Sequence, residues 1–343
     1  MNPKAKKFFR FIVFLSLSGV LLFFAFKNVD LRFILRGFLE ANFFWVILSL
    51  CVSVMAHAVR ALRWQLLIEP LGKRPKFSNT LGAVMIGYFA NLAFPRIGEI
   101  TRCGVLNRQE NLPFGALIGT VIVERVSDLL MLVTITLLAI VIKIDLFGTF
   151  IITKLLTPIK LKIQALSDLN LLIGLGVGIA IILLIYLTTT QLLGKGAKER
   201  VQTVFSGLAN GLRAIARMNQ KGLFIGYSIL LWFCYWLMTY LLVFSIPATS
   251  SLGAADALFL LVVGSVGMLV PVQGGFGAFH IATAMGLGVY GISREEGLVF
   301  ATISHEAQTL LVIVLGLLFV LLFMQKAPIK KRVNQKQNAR GLF

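Results

Sequence analysis

Two clusters of charged residues interrupt long apolar segments in this 343-residue sequence, and they are the residues best suited to chemistry. In the first cluster, Pro95 breaks a helix and Gly98 is expected to allow a tight turn, after which a new helix begins. The free N–H groups and partial positive charge of a helix start favour anions. With two arginines beside it, such a start would suit a phosphate group. The candidate site residues in this run are Asn91, Pro95, Arg96, Gly98, Glu99 and Arg102.

The second cluster consists of Glu124, Arg125 and Asp128. Glu124 and Asp128 are four residues apart and therefore share one face of a helix. Arg125 lies within one turn and could pair with Asp128 or with Glu99. A charged side chain within an apolar segment is costly, so it is expected to have an ion-pair partner or a function. The cluster is either a buried ion network that holds helices together or the polar lining of a path for a charged head group, and these two roles are compatible.

A third polar set lies at the end of an apolar segment, where His57, Arg60 and Trp64 recur at helical spacing. Arginine and tryptophan commonly anchor a helix end at a membrane–water boundary, which is one interpretation. The other interpretation is that Arg60 extends the positively charged site.

Glycines and histidines mark a fourth region. Consecutive glycines allow close backbone approach and anion-holding turns. The candidate residues are Pro271, Gln273, Gly274, Gly275 and His280, together with His305 and Glu306 in the last apolar segment. The histidines are expected to be satisfied buried side chains or members of a proton relay. No two of them stand at metal-ligand spacing, so the sequence predicts no metal site.

Catalytic machinery is not predicted. No nucleophile stands beside a base and a group that would orient it, so we expect no catalytic residue and no enzyme activity. The sequence has no P-loop lysine motif, so ATP is not expected to power the protein directly, and no cofactor is predicted.

Composition places these clusters in a membrane. Hydrophobic residues make up 58% of the chain and charged residues 14%, against about a quarter charged in soluble domains. The net charge of +19 is concentrated at the ends of apolar segments, which is typical of the cytoplasmic side of membrane proteins, so nucleic-acid binding is not expected. The cysteines lack metal-type spacing and are expected to be free: Cys51, Cys103 and Cys234.

Apolar segments predict an all-α polytopic membrane protein with eight helices or more, in one membrane domain over residues 1–343. The segments long enough to cross a bilayer are 8–26, 43–62, 114–142, 172–190, 222–246 and 297–324. Two shorter stretches that end in proline predict helical hairpins over 80–112 and 257–290. Each hairpin either re-enters the membrane from one side or crosses it twice, and the basic loops fit both arrangements.

The order span, span, hairpin, span occurs twice, over 8–142 and 172–324, and the two halves begin on opposite sides. This predicts an inverted repeat, as in secondary transporters. Basic residues predict that both termini, including a basic tail over 325–343, are cytoplasmic. Residues 197–217 are expected to form an amphipathic helix on the cytoplasmic surface. Residues 149–166 form either a similar helix outside or a packed loop.

The runs at 91–102, 124–128 and 271–277 together resemble the membrane domain of lysylphosphatidylglycerol synthases, and the resemblance covers nearly the whole chain. That domain also occurs alone, in flippase-like bacterial inner-membrane proteins. The resemblance implies movement of a phospholipid, or of a related lipid such as a hopanoid or a lipid-linked sugar, between leaflets. The soluble aminoacyltransferase domain of the synthases is not expected here. Many relatives have an acidic residue where this chain has His280, so the identity of the substrate does not carry over.

Three function classes remain open. The leading hypothesis is a translocator of the bacterial cytoplasmic membrane, with a membrane lipid as its partner. The second is a membrane scaffold that does not transport and that assists a lipid-modifying enzyme of the cell envelope. The third is an intramembrane enzyme, against which the absence of a nucleophile–base arrangement argues.

Overall fold

The computed structural model describes residues 3–27, 29–94, 97–157, 161 and 218–325, and the structural statements below refer to these residues. The predictions for Pro95, Arg96, 172–190 and 197–217, and for the tail from 326 onward, lie outside the described residues.

The described residues form eleven α-helices and no β-strand. In chain order the helices are α1 (Pro3–Phe26), α2 (Leu31–Leu39), α3 (Phe43–Ile68), α4 (Phe77–Ala93), α5 (Gly98–Glu110), α6 (Phe114–Ile142), α7 (Ile144–Phe150), α8 (Lys221–Val243), α9 (Ala254–Leu269), α10 (Ala278–Leu287) and α11 (Arg294–Gln325). Single turns of 3₁₀ or π helix occupy Glu69–Leu71, Ile151–Leu156, Pro247–Thr249, Gln273–Gly275 and Gly288–Tyr290.

Four stretches in the described part of the chain are long and apolar enough to cross a membrane: Phe43–Leu71, Phe114–Ile142, Lys221–Val243 and Arg294–Gln325. The described side chains of α1 add a shorter apolar helix, Leu15–Phe26. The predicted all-α membrane fold is therefore confirmed. Helix α3 continues to Ile68, beyond the predicted end at 62, and this extension places Trp64 within the helix rather than after it.

Both predicted hairpins are pairs of antiparallel helices. In the first, Gly98 of α5 contacts Asn91 of α4, and Glu110, at the other end of α5, binds Asn79. In the second, Gly267 of α9 packs against Ala278 and Ala282 of α10.

The arms of the hairpins are 17, 13, 16 and 10 residues long. A helix needs about 20 residues to cross a bilayer, so each arm by itself is short for a span. Re-entry from one side stays a prediction.

Two apolar cores hold the bundle together, one beside each hairpin. The first core surrounds Trp64 and includes Phe224 from α8. The second core surrounds Phe259 and includes Val46 from α3. Because α3 and α8 pack along each other and each contributes to both cores, the two hairpins are fixed in one assembly. The repeat of the two halves, and their opposite orientation, stay predictions.

Close approach between helices relies on small residues, as is usual where lipid supplies no hydrophobic drive to associate. The ring of Phe323 in α11 lies against Gly82 of α4, and Phe89 of α4 lies against Gly316 of α11. These contacts fix the first hairpin against the last helix of the chain.

Two short helices were not predicted. Helix α2 is capped at its N-terminus by Asp30, whose carboxylate accepts a hydrogen bond from the N–H of Arg32. Helix α7 places Phe147 and Phe150 edge-on against Phe259. Within 149–166, Phe150 packs against protein while Ile151, Ile152 and Leu156 are exposed, so both alternatives for this segment stay predictions.

Candidate functional site

The break in the first hairpin lies between Ala93 and Gly98. Helix α5 restarts at Gly98 as predicted, and its first N–H donates a 2.7 Å hydrogen bond to the side-chain oxygen of Asn91. A Cβ at position 98 would collide with the carbonyl oxygen of Gly87. Glycine is therefore required there by the close approach of α4, not by the predicted tight turn, since its φ is not positive.

Glu124 is the centre of a buried ion network and has no exposed surface. Its Oε1 lies 2.5 Å from Nη1 of Arg60, and its Oε2 lies 2.9 Å from Nη2 of Arg102. Arg63, which the sequence reasoning did not single out, approaches Oε1 at 3.5 Å. The three arginines come from α3 and α5, so one carboxylate on α6 joins the second arm of the first hairpin to α3.

Asp128 extends the network by one turn of α6, as its spacing from Glu124 predicts. It lies 2.6 Å from Arg63 and 3.1 Å from Arg60. Arg125 uses both predicted partners, because its Nη2 lies 3.0 Å from Oε1 of Glu99 and its Nη1 lies 3.9 Å from Asp128. The side chain of Arg125 is 45% exposed, in contrast to the buried arginines around Glu124.

The structure decides between the two interpretations of His57, Arg60 and Trp64. Trp64 is fully buried, its indole N–H donates to Thr120, and the guanidinium of Arg102 lies 4.5 Å above its ring. Arg60 is bonded to Glu124 and to the hydroxyl of Tyr235. Anchoring at the membrane boundary is therefore wrong for Arg60 and Trp64, because both are enclosed by protein.

In this network four arginines face three carboxylates, so it carries one excess positive charge; the arginines are Arg60, Arg63, Arg102 and Arg125, and the carboxylates are Glu99, Glu124 and Asp128. A buried charge is tolerated only when it is paired. The excess charge makes this end of the bundle attractive to an anion.

The break in the second hairpin follows Pro271, which is exposed, and consists of a single turn over Gln273–Gly275. Gly274, Gly275 and Gly277 have φ values of 57°, 82° and 79°, in the left-handed region that glycine adopts without strain. A Cβ at Gly277 would also collide with the backbone of α1 at Leu21. The predicted role of these glycines in close backbone approach is therefore observed.

The two breaks meet through Gln273. Its side-chain Nε2 donates a 3.0 Å hydrogen bond to the carbonyl oxygen of Ala93, the last residue of α4. Its backbone N–H donates to the hydroxyl of Ser18 in α1 at 3.2 Å. Two segments that are 180 residues apart in sequence thus form one junction.

His280, His305 and Glu306 also come together, although no sequence spacing relates all three. Nδ1 of His305 lies 3.1 Å from Oε1 of Glu306, and Nε2 of His280 lies 3.6 Å from the same oxygen. The other ring nitrogen of His305, Nε2, lies 2.8 Å from the carbonyl oxygen of Gly274. The group therefore links α10 and α11 to the turn of the second break.

A cavity of about 450 Å³ lies between the network and this second group. Arg60 and Arg125 form its charged end beside the neutral Tyr88, while Met268 and Phe279 belong to its apolar wall. Further polar side chains in its lining are Tyr235, Thr239, Ser265, Thr283, Ser304, His305 and Gln308. Helices from both hairpins and both predicted halves enclose it.

Several lining residues were not predicted from the sequence, because a single hydroxyl or amide in an apolar helix does not by itself indicate a site. Two of them matter most. Oγ1 of Thr283 and Nε2 of Gln308 are buried and have no hydrogen-bond partner among the described residues. Unpaired buried polar atoms are costly, so these two atoms are available to a polar ligand. That both residues line one cavity becomes visible only in three dimensions.

The profile of the family described as the lysylphosphatidylglycerol synthase TM region matches residues 11–316 of the chain. A UPF0104 membrane protein from Methanocaldococcus jannaschii is 28% identical over 145 residues, which are 41% of this chain and 40% of that relative. The glycosyltransferase AglD from Haloferax volcanii is 34% identical over 80 residues, which are 23% of this chain and 13% of AglD. The matches therefore span less than half of each of these relatives. No solved structure matches the chain.

Proposed function

The chain belongs to the family of the lysylphosphatidylglycerol synthase transmembrane region, and from this premise we propose that it translocates a phospholipid or a related amphipathic lipid between membrane leaflets. The observation that carries the proposal is the 450 Å³ cavity, which has arginines at one end and apolar walls elsewhere. A lipid has the same division between a charged head and an apolar remainder. We further propose that both termini lie in the cytoplasm of a bacterial cell.

The size of the cavity suits a head group rather than a whole lipid. Ligand pockets usually enclose about 300–1,000 Å³, and 450 Å³ is in the lower part of that range. The acyl chains would then remain in contact with the bilayer. An apolar groove of about 610 Å³ lies beside Phe43, Leu50 and Leu310, and the acyl chains would lie in this groove along α3 and α11.

Arg125 is the residue best placed to hold the phosphate. Its side chain is partly exposed, the residue lines the cavity, and its guanidinium is paired with Glu99, whose side chain is itself partly exposed. A phosphate can exchange with that carboxylate as a bidentate partner. Arg60 lies beside it but is already paired with Glu124, so it would contribute positive charge rather than direct contact with the phosphate. Thr283 and Gln308 would donate hydrogen bonds to oxygens of the head group.

Reconstitution tests the proposal directly. Purified protein in liposomes should move fluorescent phospholipids between leaflets faster than empty liposomes do. Arg125→Ala should reduce exchange at least tenfold while its thermal stability stays near that of the wild type, and Arg125→Lys should restore only part of the rate. Arg108→Ala, which changes an exposed arginine of α5 distant from the cavity, is the matched control and should transport normally.

Blocking the cavity gives a second test that leaves every charge in place. Ser265 lines the cavity from α9, so Ser265→Trp should fill it and stop exchange. If anionic and zwitterionic lipids all cross no faster than in empty liposomes, translocation is wrong.

The match to AglD favours one further candidate, a membrane component that assists an envelope glycosyltransferase without transporting lipid. This role predicts no leaflet exchange, but a higher rate for a lipid-linked sugar transferase reconstituted in the same liposomes. Arg125→Ala and Ser265→Trp should then leave that stimulation unchanged.

A further inference from the structure

Three potential metal-binding side chains converge where α10 meets α11. They are His280, His305 and Glu306, and one donor atom from each lies within 4.8 Å of the others. The two histidines are buried, with exposed fractions of 1% and 7%, while the carboxylate of Glu306 is partly exposed. The residue spacing had predicted no metal site, because a turn and a second helix separate His280 from His305 along the chain.

The hydrogen bonding of His305 requires a proton or a metal ion at this point. Its Nε2 lies 2.8 Å from the carbonyl oxygen of Gly274, which can only accept, so Nε2 carries the hydrogen. In the neutral ring Nδ1 is then a lone pair, and it faces the carboxylate of Glu306 at 3.1 Å. Two acceptors at this distance repel each other unless a proton or a metal ion lies between them.

His280 discriminates between a proton and a metal. Its Nδ1 is buried without a hydrogen-bond partner within the described part of the chain, and its Nε2 faces the same oxygen of Glu306 at 3.6 Å, beyond hydrogen-bond distance. A proton shared by His305 and Glu306 would leave Nε2 of His280 without a partner. A metal ion would be bound by all three side chains.

We propose that His280 Nε2, His305 Nδ1 and Glu306 Oε1 bind a divalent transition-metal ion, with Zn²⁺ the best fit to two imidazoles and one carboxylate. Ligand bonds of about 2.0–2.1 Å in a tetrahedron place donor atoms about 3.3 Å apart. The separations of 3.1 Å and 3.6 Å from the Glu306 oxygen to the two histidine nitrogens are close to that spacing, and the two nitrogens lie within 4.8 Å of each other. The carbonyl of Gly274 supplies the outer hydrogen bond that commonly orients a histidine ligand.

The ion would join the second hairpin to the last helix. It would hold α10 to α11 directly and would fix the Gln273–Gly275 turn through His305. Three protein ligands leave a fourth position for water or an oxygen of a ligand. This inference concerns binding and does not depend on whether the protein transports lipid.

The test uses the full chain in detergent, purified without a histidine tag and treated with chelator. Titration with Zn²⁺ alone should show one saturable equivalent per chain and raise the melting temperature, and Co²⁺ should give the visible absorption bands of a tetrahedral site. His305→Ala should abolish this binding. Glu306→Gln, at a partly exposed position that should keep the fold, should weaken it at least tenfold.

His57→Ala is the matched control, since His57 contacts Ser53 and lies outside the group; it should bind Zn²⁺ as the wild type does. Two results would overturn the proposal. One is no saturable Zn²⁺ binding below about 100 µM, a level too weak for a site with three preformed ligands. The other is binding that persists unchanged in Glu306→Gln and in a folded His305→Ala, which would place the ion elsewhere.

Discussion

The side-chain amide of Gln273 donates a 3.0 Å hydrogen bond to the carbonyl oxygen of Ala93, and this bond joins the breaks of the two hairpins. The last carbonyls of a helix have no partner within the helix, so Gln273 satisfies one that α4 leaves free. The contact places the second break directly beside the first. In the proposed transport, a movement of one hairpin away from the other would have to break this bond.

Gln273→Ala should therefore reduce lipid exchange several-fold and destabilise the protein by about 1 kcal/mol, the usual net value of one hydrogen bond. Gln65→Ala is a matched control, because Gln65 is also a buried glutamine whose Nε2 donates to a backbone carbonyl, that of Pro75, at 2.7 Å. It should cost similar stability but leave exchange intact. Equal transport by both variants would show that the junction is only structural.

Glu124→Gln should be strongly destabilising. The substitution keeps the shape of the side chain but leaves Arg60 and Arg102 buried beside a neutral group. Breaking a buried pair in this way costs about 3–5 kcal/mol. Glu99→Gln, which disrupts a partly exposed pair with Arg125, should cost no more than about 1 kcal/mol. Thermal unfolding in detergent measures both, and similar melting temperatures would contradict the central role of Glu124.

Gly98→Ala should separate α4 from α5. The new methyl group would collide with the carbonyl oxygen of Gly87 and with Asn91, and overpacking of this kind costs about 1–3 kcal/mol. At Gly104, in the same helix, no atom lies within 4 Å of the place that an alanine methyl group would take. Gly104→Ala should therefore be neutral or stabilising by up to about 1 kcal/mol, since alanine favours a helix over glycine. The difference between the two melting temperatures is the measurement.

Stability should also fall in acid through Asp256, which lies in the first turn of α9 and pairs with Lys143 at 2.8 Å. Burial acts to raise the pKa of Asp256, but the Lys143 ammonium, the Gly253 N–H and the Tyr290 hydroxyl outweigh it and hold the pKa below its ordinary value of 3.8. A carboxylate with a lowered pKa stabilises the fold above its ordinary value, and this stabilisation is lost as the pH falls through the lowered one.

The melting temperature of the wild type should accordingly drop below about pH 4, relative to that of Asp256→Asn. Lys143→Ala should reduce this difference, because it removes the ammonium that lowers the pKa but leaves the Gly253 N–H and the Tyr290 hydroxyl. If the two variants and the wild type melt in parallel from pH 3 to pH 7, this pair contributes nothing to stability.

The sequence by itself determined the membrane class, the helical breaks and the identity of most charged site residues. Apolar length and proline position are local properties, so Phe114–Ile142 and the restart at Gly98 could be predicted from neighbouring residues alone. The i, i+4 spacing of Glu124 and Asp128 likewise fixed their common face.

Only the tertiary structure decided which distant groups meet. Arg63 and Trp64 resemble the usual residues of a helix end at a membrane surface, yet both are fully buried beside α6. Gln273 reaches Ala93, and His280 reaches Glu306, across segments that no local spacing relates. The reason is physical: a helix fixes which side chains share a face, whereas the packing of one helix on another fixes which faces meet.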